Sequence, residues 1–218
     1  MSVAEFLHGA STRGFLLGGI MTYRDLTLND LFIKFGIDHT VQKLFNSVIP
    51  FEISDLLKGD IEESHHFPIT NEKGKSEFIV VPILKELIRK NDYIFTIHSG
   101  ESLDIDKDKG LTGECDFIFT KSTHKLEISA PVFAVVEAKK QDIEFGIRQC
   151  AAQLVGIQIF NNRFKNPVNT IYGCVTTADD WKFMKLEKSM ITVDSDTYYL
   201  NELEAVLGIF QSIVDFYK

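Results

Sequence analysis

The chain has 218 residues, 44% of them hydrophobic and 25% charged, with a formal net charge of −8. That length buries a real core without disulfides or structural metal, and the acidic balance argues against a protein that coats nucleic acid through indiscriminate phosphate contacts. Cys115, Cys150 and Cys174 are odd in number, widely spaced and free of any CxxC or Cys/His zinc spacing, which predicts reduced core thiols in a cytoplasmic protein.

The N-terminus lacks a basic stretch followed by a clean apolar one, because Glu5, His8 and Arg13 interrupt it. No secretory leader is expected. The apolar run over 15–21 is far shorter than the ~20 residues of a membrane span, so no membrane association is expected. Residues 1–70 read as a helical N-terminal extension, a surface for a homodimer or a protein partner. Asn29 or Asp30 would cap a helix carrying Leu31, Phe32 and Phe35. Val41, Leu44, Phe45 and Val48 repeat at helical spacing before Pro50, and 60–75 reads as a connecting loop.

Residues 71–218 read as the main domain. The spacing of Val80, Val81, Leu84, Leu87 and Ile88 predicts a helix over 77–90, with Pro82 either kinking it or lying in its first turn. Residues 93–97 and 115–120 are β-rich. Residues 131–139 form a nearly continuous apolar run, expected of a central strand covered on both faces. A buried helix over 144–160 follows, then a strand over 170–177 and an antiparallel pair over 181–186 and 190–193. A final helix, capped at or near Asn201, carries Leu203, Val206, Leu207, Phe210, Ile213 and Val214. The predicted class is α/β, a central mixed sheet flanked by helices.

Three polar residues stand at the ends of apolar strands: Asp116, Glu137 and Lys139. Phosphodiester hydrolysis needs hard oxygen ligands for Mg²⁺ and a group that steadies the attacking water or the developing charge. Side chains alternate along a strand, so Glu137 and Lys139 project to one face while Ala138 offers its backbone carbonyl. The triplet alone is unspecific, since Asp180-Trp181-Lys182 also matches; strand context favours the first. The acids Glu101, Asp104, Asp106 and Asp108 lack the spacing of a calcium loop. Lys139, Lys140, Arg148, Arg163 and Lys165 follow the site in sequence and are candidates for phosphate contact.

Gly113-Glu114-Cys115-Asp116-Phe117-Ile118-Phe119, Val135-Val136-Glu137-Ala138-Lys139-Lys140 and a helix bearing Gln149 and Gln153 together resemble the PD-(D/E)XK nuclease superfamily. The 175–183 stretch resembles the strand-turn-strand after the site in the N-terminal nuclease regions of type I restriction enzymes. The resemblance implies a restriction-endonuclease-like core, with Asp116, Glu137 and the Ala138 carbonyl on Mg²⁺ (Mn²⁺ a possible substitute). Lys139 would position or activate water, Gln153 would join the site, and DNA would be the substrate. It also implies a glutamate from the preceding helix, for which Glu77 is preferred over Glu86, read as solvated. The superfamily's proline before the aspartate is Cys115 here, and Gln153 stands where exonuclease-like members carry tyrosine. The alternatives are a catalytically silent binding or regulatory module on the same fold, or a subunit active only with a DNA-binding partner.

Overall fold

The computed structural model describes residues 21–122 and 126–218, so the apolar run over 15–21 lies outside the described residues except for Met21. After a short 3-10 turn at Tyr23–Asp25, helix α1 (Leu28–Phe35) leads into strand β1 (Asp38–Gln42), and α2 (Asp55–Ser64) follows an irregular stretch. Helices α3 (Glu72–Lys75) and α4 (Val81–Lys90) are joined by a π-helical turn at Ser76–Val80. Next come β2 (Thr96–Ser102), β3 (Glu114–Thr120), β4 (Val132–Ala138), α5 (Ile143–Arg163), β5 (Thr170–Thr176), β6 (Asp180–Glu187) and β7 (Met190–Asp194). The short β8 (Tyr198–Tyr199) and α6 (Leu203–Phe216) end the fold.

The strands form one open mixed sheet in the order β1-β7-β6-β5-β4-β3-β2, with β8 on β6. Pairs β4·β5 and β1·β7 are parallel and the others antiparallel. Every residue of β4 is buried, as its unbroken apolar run predicts for a strand with both faces covered. One apolar cluster joins α2, α4 and α6 to Phe117, Phe119, Phe133 and Phe183. The other joins α5 and α1 to Ile118, Val135, Val175 and Met184. All three cysteines are free and buried, and no described helix is long and apolar enough to cross a membrane.

Two expectations need correction. The helical spacing from Val41 to Val48 does not make a helix. Val41 lies in β1, and Phe45 and Val48 pack on the core from irregular chain. Backbone pairing of β1 with β7 outweighs local periodicity there. The same pairing places residues 38–42 in the main sheet. The segment read as a loop over 60–75 is helical at both ends, in α2 and α3, and only 65–71 is turn and irregular chain. Residues 72–90 form one helical rod, started by Asn71, whose Oδ1 accepts the Gly74 N–H at 2.8 Å. Pro82 sits in the first turn of α4. The N–H of Val81 reaches back five residues to Ser76 O. This π-turn accommodates a proline that cannot donate within the rod and whose ring crowds the preceding turn.

Helix α6 crosses the irregular chain after β1 at Gly208. A Cβ built there would stand 2.2 Å from Ile49 O, a backbone atom that cannot swing aside. Glycine in a helix interior is ordinarily about 1 kcal/mol worse than alanine. Here the sign reverses: Gly208→Ala is expected to destabilise the fold by roughly 1–3 kcal/mol. Urea unfolding checks this, and an unchanged or raised midpoint would contradict the contact.

Candidate active site

Asp116 lies near the start of β3, Glu137 near the end of β4, and Lys139 immediately after β4. The antiparallel β3·β4 ladder pairs Phe117 with Val136, so the next step brings Asp116 beside Glu137. Asp116 is fixed there by its Oδ2, which accepts the Ala138 N–H at 2.7 Å. Lys139 N–H donates to Thr176 O at 2.7 Å. That bond prolongs the parallel pairing with β5 by one residue and carries the lysine onto the face covered by α5.

Glu137 is 1% exposed, and an isolated carboxylate at such a position would be costly. Its Oε1 accepts from Lys139 Nζ at 2.5 Å and from Gln149 Nε2 at 2.6 Å. Its Oε2 accepts from Gln153 Nε2 at 2.7 Å. Gln149 and Gln153 are four residues apart on α5 and so share one face. Asn161, further along α5, clamps Val132 through both its amide groups at 2.7 and 2.8 Å. The helix is thus stitched to β4 at both ends of the strand. The amide oxygens of Gln149 and Gln153 are themselves buried and unpartnered.

Electrostatics sharpen the arrangement. Burial, reinforced by the neighbouring Asp116, pushes the Glu137 carboxyl up to about 7, against the opposing pull of Lys139 and Gln153. Burial also raises Asp116, with a further push from Glu72, against the Ala138 N–H and Lys139. Two carboxyls held this close favour either a shared proton or a bound cation. Their oxygens are hard donors of the kind Mg²⁺ takes. Among the described residues no three His, Cys, Asp or Glu side chains group for a metal ion. Asp116 and Glu137 are the two carboxyls brought together here, and Mg²⁺ can bind through one or two carboxylates while keeping several waters.

The preceding helix contributes differently from expectation. Glu77 is exposed and pairs with Lys73 at 3.7 Å. Glu72 is the acid at the site: its Oε1 accepts the Lys140 N–H at 3.1 Å. Lys75 pins the same helix start by donating to Thr177 O at 2.7 Å, Lys140 O at 3.2 Å and Asp179 Oδ2 at 3.3 Å. Glu86 is not solvated. It is fully buried, accepts from Ser54 N and Oγ and pairs with Arg89. Burial pulls its pKa up, but the Arg89 and Ser54 hydrogen bonds outweigh that and the net shift is downward.

The second triplet does not form a comparable site. Lys182 Nζ donates to Ser195 O and Asp196 O at 3.1 and 3.0 Å, and Trp181 between them is fully buried. In the acidic loop Asp104 pairs with Lys107 at 3.0 Å and Asp106 with Lys109 at 3.6 Å. The basic residues after the site disperse: Arg163 donates to Ile105 O at 2.9 Å and Arg148 lies over the Phe145 ring.

A cleft of about 370 Å³ opens onto Asp116, Glu137 and Gln149, walled by Thr112, Gly113 and Glu114 and by Thr22, Tyr23 and Arg24. The N-terminal wall was not legible in the sequence, since it comes from 92–94 residues before Asp116 in the chain and carries no motif. No known family model and no curated protein matches the chain.

Because Glu137 and Asp116 are both raised above their unfolded values, their contribution to stability is fully present below about pH 4. It is lost as pH rises through the folded value, about 7 for Glu137. Asp116→Asn removes the like charge and leaves an oxygen for the Ala138 N–H. It is expected to be more stable than wild type by about 1 kcal/mol at pH 8, where one pKa unit relieved equals about 1.4 kcal/mol, and near wild type at pH 4. Unfolding across that range checks it; a variant less stable at pH 8 would contradict the repulsion.

Proposed function

We propose that the chain is a Mg²⁺-dependent nuclease of the PD-(D/E)XK kind, hydrolysing DNA phosphodiester bonds on a restriction-endonuclease-like core. The observation that carries this reading is the junction of Asp116, Glu137 and the buried Lys139 at the ends of two adjacent strands, with Asp116 and Glu137 lining a cleft. A buried ion pair is a poor device for stability, because desolvation offsets the attraction. One beside a second carboxyl with a raised pKa is the kind of perturbed cluster that gathers at functional sites. The two carboxylates would hold the cation, with the Ala138 carbonyl as the neighbouring backbone donor. Bound there, the metal supplies Lewis acidity toward the phosphate and toward the water that attacks it.

The protein's own groups do the rest. Lys139 presents a cation 2.5 Å from Glu137 Oε1, where it steadies negative charge on the attacking oxygen or the phosphate. Gln149 and Gln153 fix the Glu137 rotamer, which keeps the carboxylate aimed when its charge is partly drawn to a ligand. Glu72 adds negative charge felt at Asp116. Tyr23 and the α5 face wall the site from bulk water.

The test is cleavage of supercoiled, linear and branched DNA, and of RNA, in Mg²⁺ or Mn²⁺. Wild type is expected to cut DNA; Lys139→Ala and Asp116→Asn are expected to lose at least 100-fold, in line with removal of one charge-stabilising group. Cutting by the variants at the wild-type rate, or no cutting of any substrate, would overturn the reading for this chain. Independently, Mg²⁺ at ten times its dissociation constant adds about 1.4 kcal/mol, raising the melting temperature by about 3–6 °C in a domain of this size. Glu137→Ala should abolish that rise. A cation-induced rise without cutting would favour the silent module or the partner-dependent subunit.

A further inference from the structure

The cleft above Asp116 and Glu137 is acidic. Of its charged lining residues, Glu114, Asp116 and Glu137 are negative and Arg24 alone is positive. A polyanion entering it meets repulsion from every charged wall except the one that Arg24 provides.

That wall is rigidly built. Thr22 and Asp25 close a reciprocal capping box, with Thr22 N–H and Oγ1 donating to Asp25 Oδ2 at 2.8 and 3.0 Å. Tyr23 N–H donates to Thr112 O at 3.0 Å, tying the turn to the opposite wall. Tyr23 itself is 1% exposed. Its ring crosses α5 at Gly156, where a Cβ would stand 2.5 Å from the phenol oxygen, and its hydroxyl donates to Leu103 O at 2.8 Å. The turn is held on two sides, while Arg24 between the anchors remains exposed. Among the described residues no hydrogen bond or ion pair consumes its side chain. A guanidinium on a pre-ordered backbone, facing an acid-lined hydrolytic site, is a fork that binds a phosphate bidentately at little ordering cost.

We propose that Arg24 is a positioning residue that grips a phosphate of the nucleic-acid backbone next to the one being cut. This rests on the nuclease reading above. The Tyr23 anchor sets where the guanidinium stands, and Arg24 sets the register of the strand in the cleft. Arg24 touches no reacting atom.

The experiment compares wild type, Arg24→Ala, Arg24→Lys and Lys58→Ala, using the full chain with Mg²⁺. Lys58 is an exposed cation on α2, packed on the opposite face of the sheet, and controls for net charge. Binding of a fluorescein-labelled DNA duplex and of its single strand is read by anisotropy at several salt concentrations, alongside cleavage kinetics and melting temperature. Arg24→Ala is expected to weaken binding about tenfold. The slope of log K against log salt should fall by about one contact, and the kinetic loss should sit in KM rather than kcat. Arg24→Lys should restore the slope but only part of the affinity, because a point charge lacks the fork. Lys58→Ala should behave as wild type, and all four proteins should melt alike. If wild type cuts DNA and Arg24→Ala matches it in slope and KM, the Arg24 proposal fails and the nuclease reading stands. If wild type neither binds nor cuts, both fail.

Discussion

Burying the Glu137 carboxylate costs several kcal/mol unless each oxygen meets a donor or a cation, and the surrounding elements are placed to meet it. Lys139 arrives because the chain stays extended for one residue beyond the end of β4 and its backbone keeps pairing with β5 at Thr176. Gln149 and Gln153 arrive because α5, clamped at its far end by Asn161, lies along β4. Asp116 arrives through the antiparallel register of β3. Three independent pieces of topology converge on one side chain, and moving any of them leaves a buried charge without its partners.

This convergence explains how much was legible beforehand. Strands with both faces covered announce themselves: the apolar run ending at Glu137 is β4, and the acid heading the preceding apolar strand falls beside it. The two glutamines could be placed on one helix face from their spacing, since α5 is regular throughout. What failed were inferences that assumed local periodicity governs where tertiary contact does. The β1 sequence Asp38-His39-Thr40-Val41-Gln42 is mostly exposed and polar, so only its backbone pairing with β7 reveals it as a strand.

Glu77 and Glu86 failed for related reasons. The 100° wheel places Glu77 on the inner face only if the helix is regular, and the π-turn at Ser76–Val80 shifts everything upstream of Pro82. Glu86 reads as solvated because Lys85 and Arg89 flank it. Its partner Ser54 is 32 residues away, where it also caps α2 by accepting the Leu57 N–H. A single buried carboxylate therefore joins two helices in a way no local pattern displays.

The π-turn lets the rod carry one more residue than a regular helix would without losing its phase. A π-turn is an α-helix carrying one surplus residue: five residues make the turn that four would make, so the chain before it keeps nearly the orientation that a helix one residue shorter would give it. The bulge at Ser76–Val80 therefore holds Lys75 on the carbonyls of Lys140 and Thr177 and Glu72 on the Lys140 N–H. Drawn into an uninterrupted α-helix, at the cost of crowding Pro82, the same residues would turn everything before them by about 100°, and those contacts would be lost. The hydrophobic stripe of Val80, Ile83, Leu84 and Leu87 lies at or beyond the turn's end and would keep its seat on the sheet. The bulge thus acts as a phase adjuster for the start of the rod, separable from the packing of the domain beneath it.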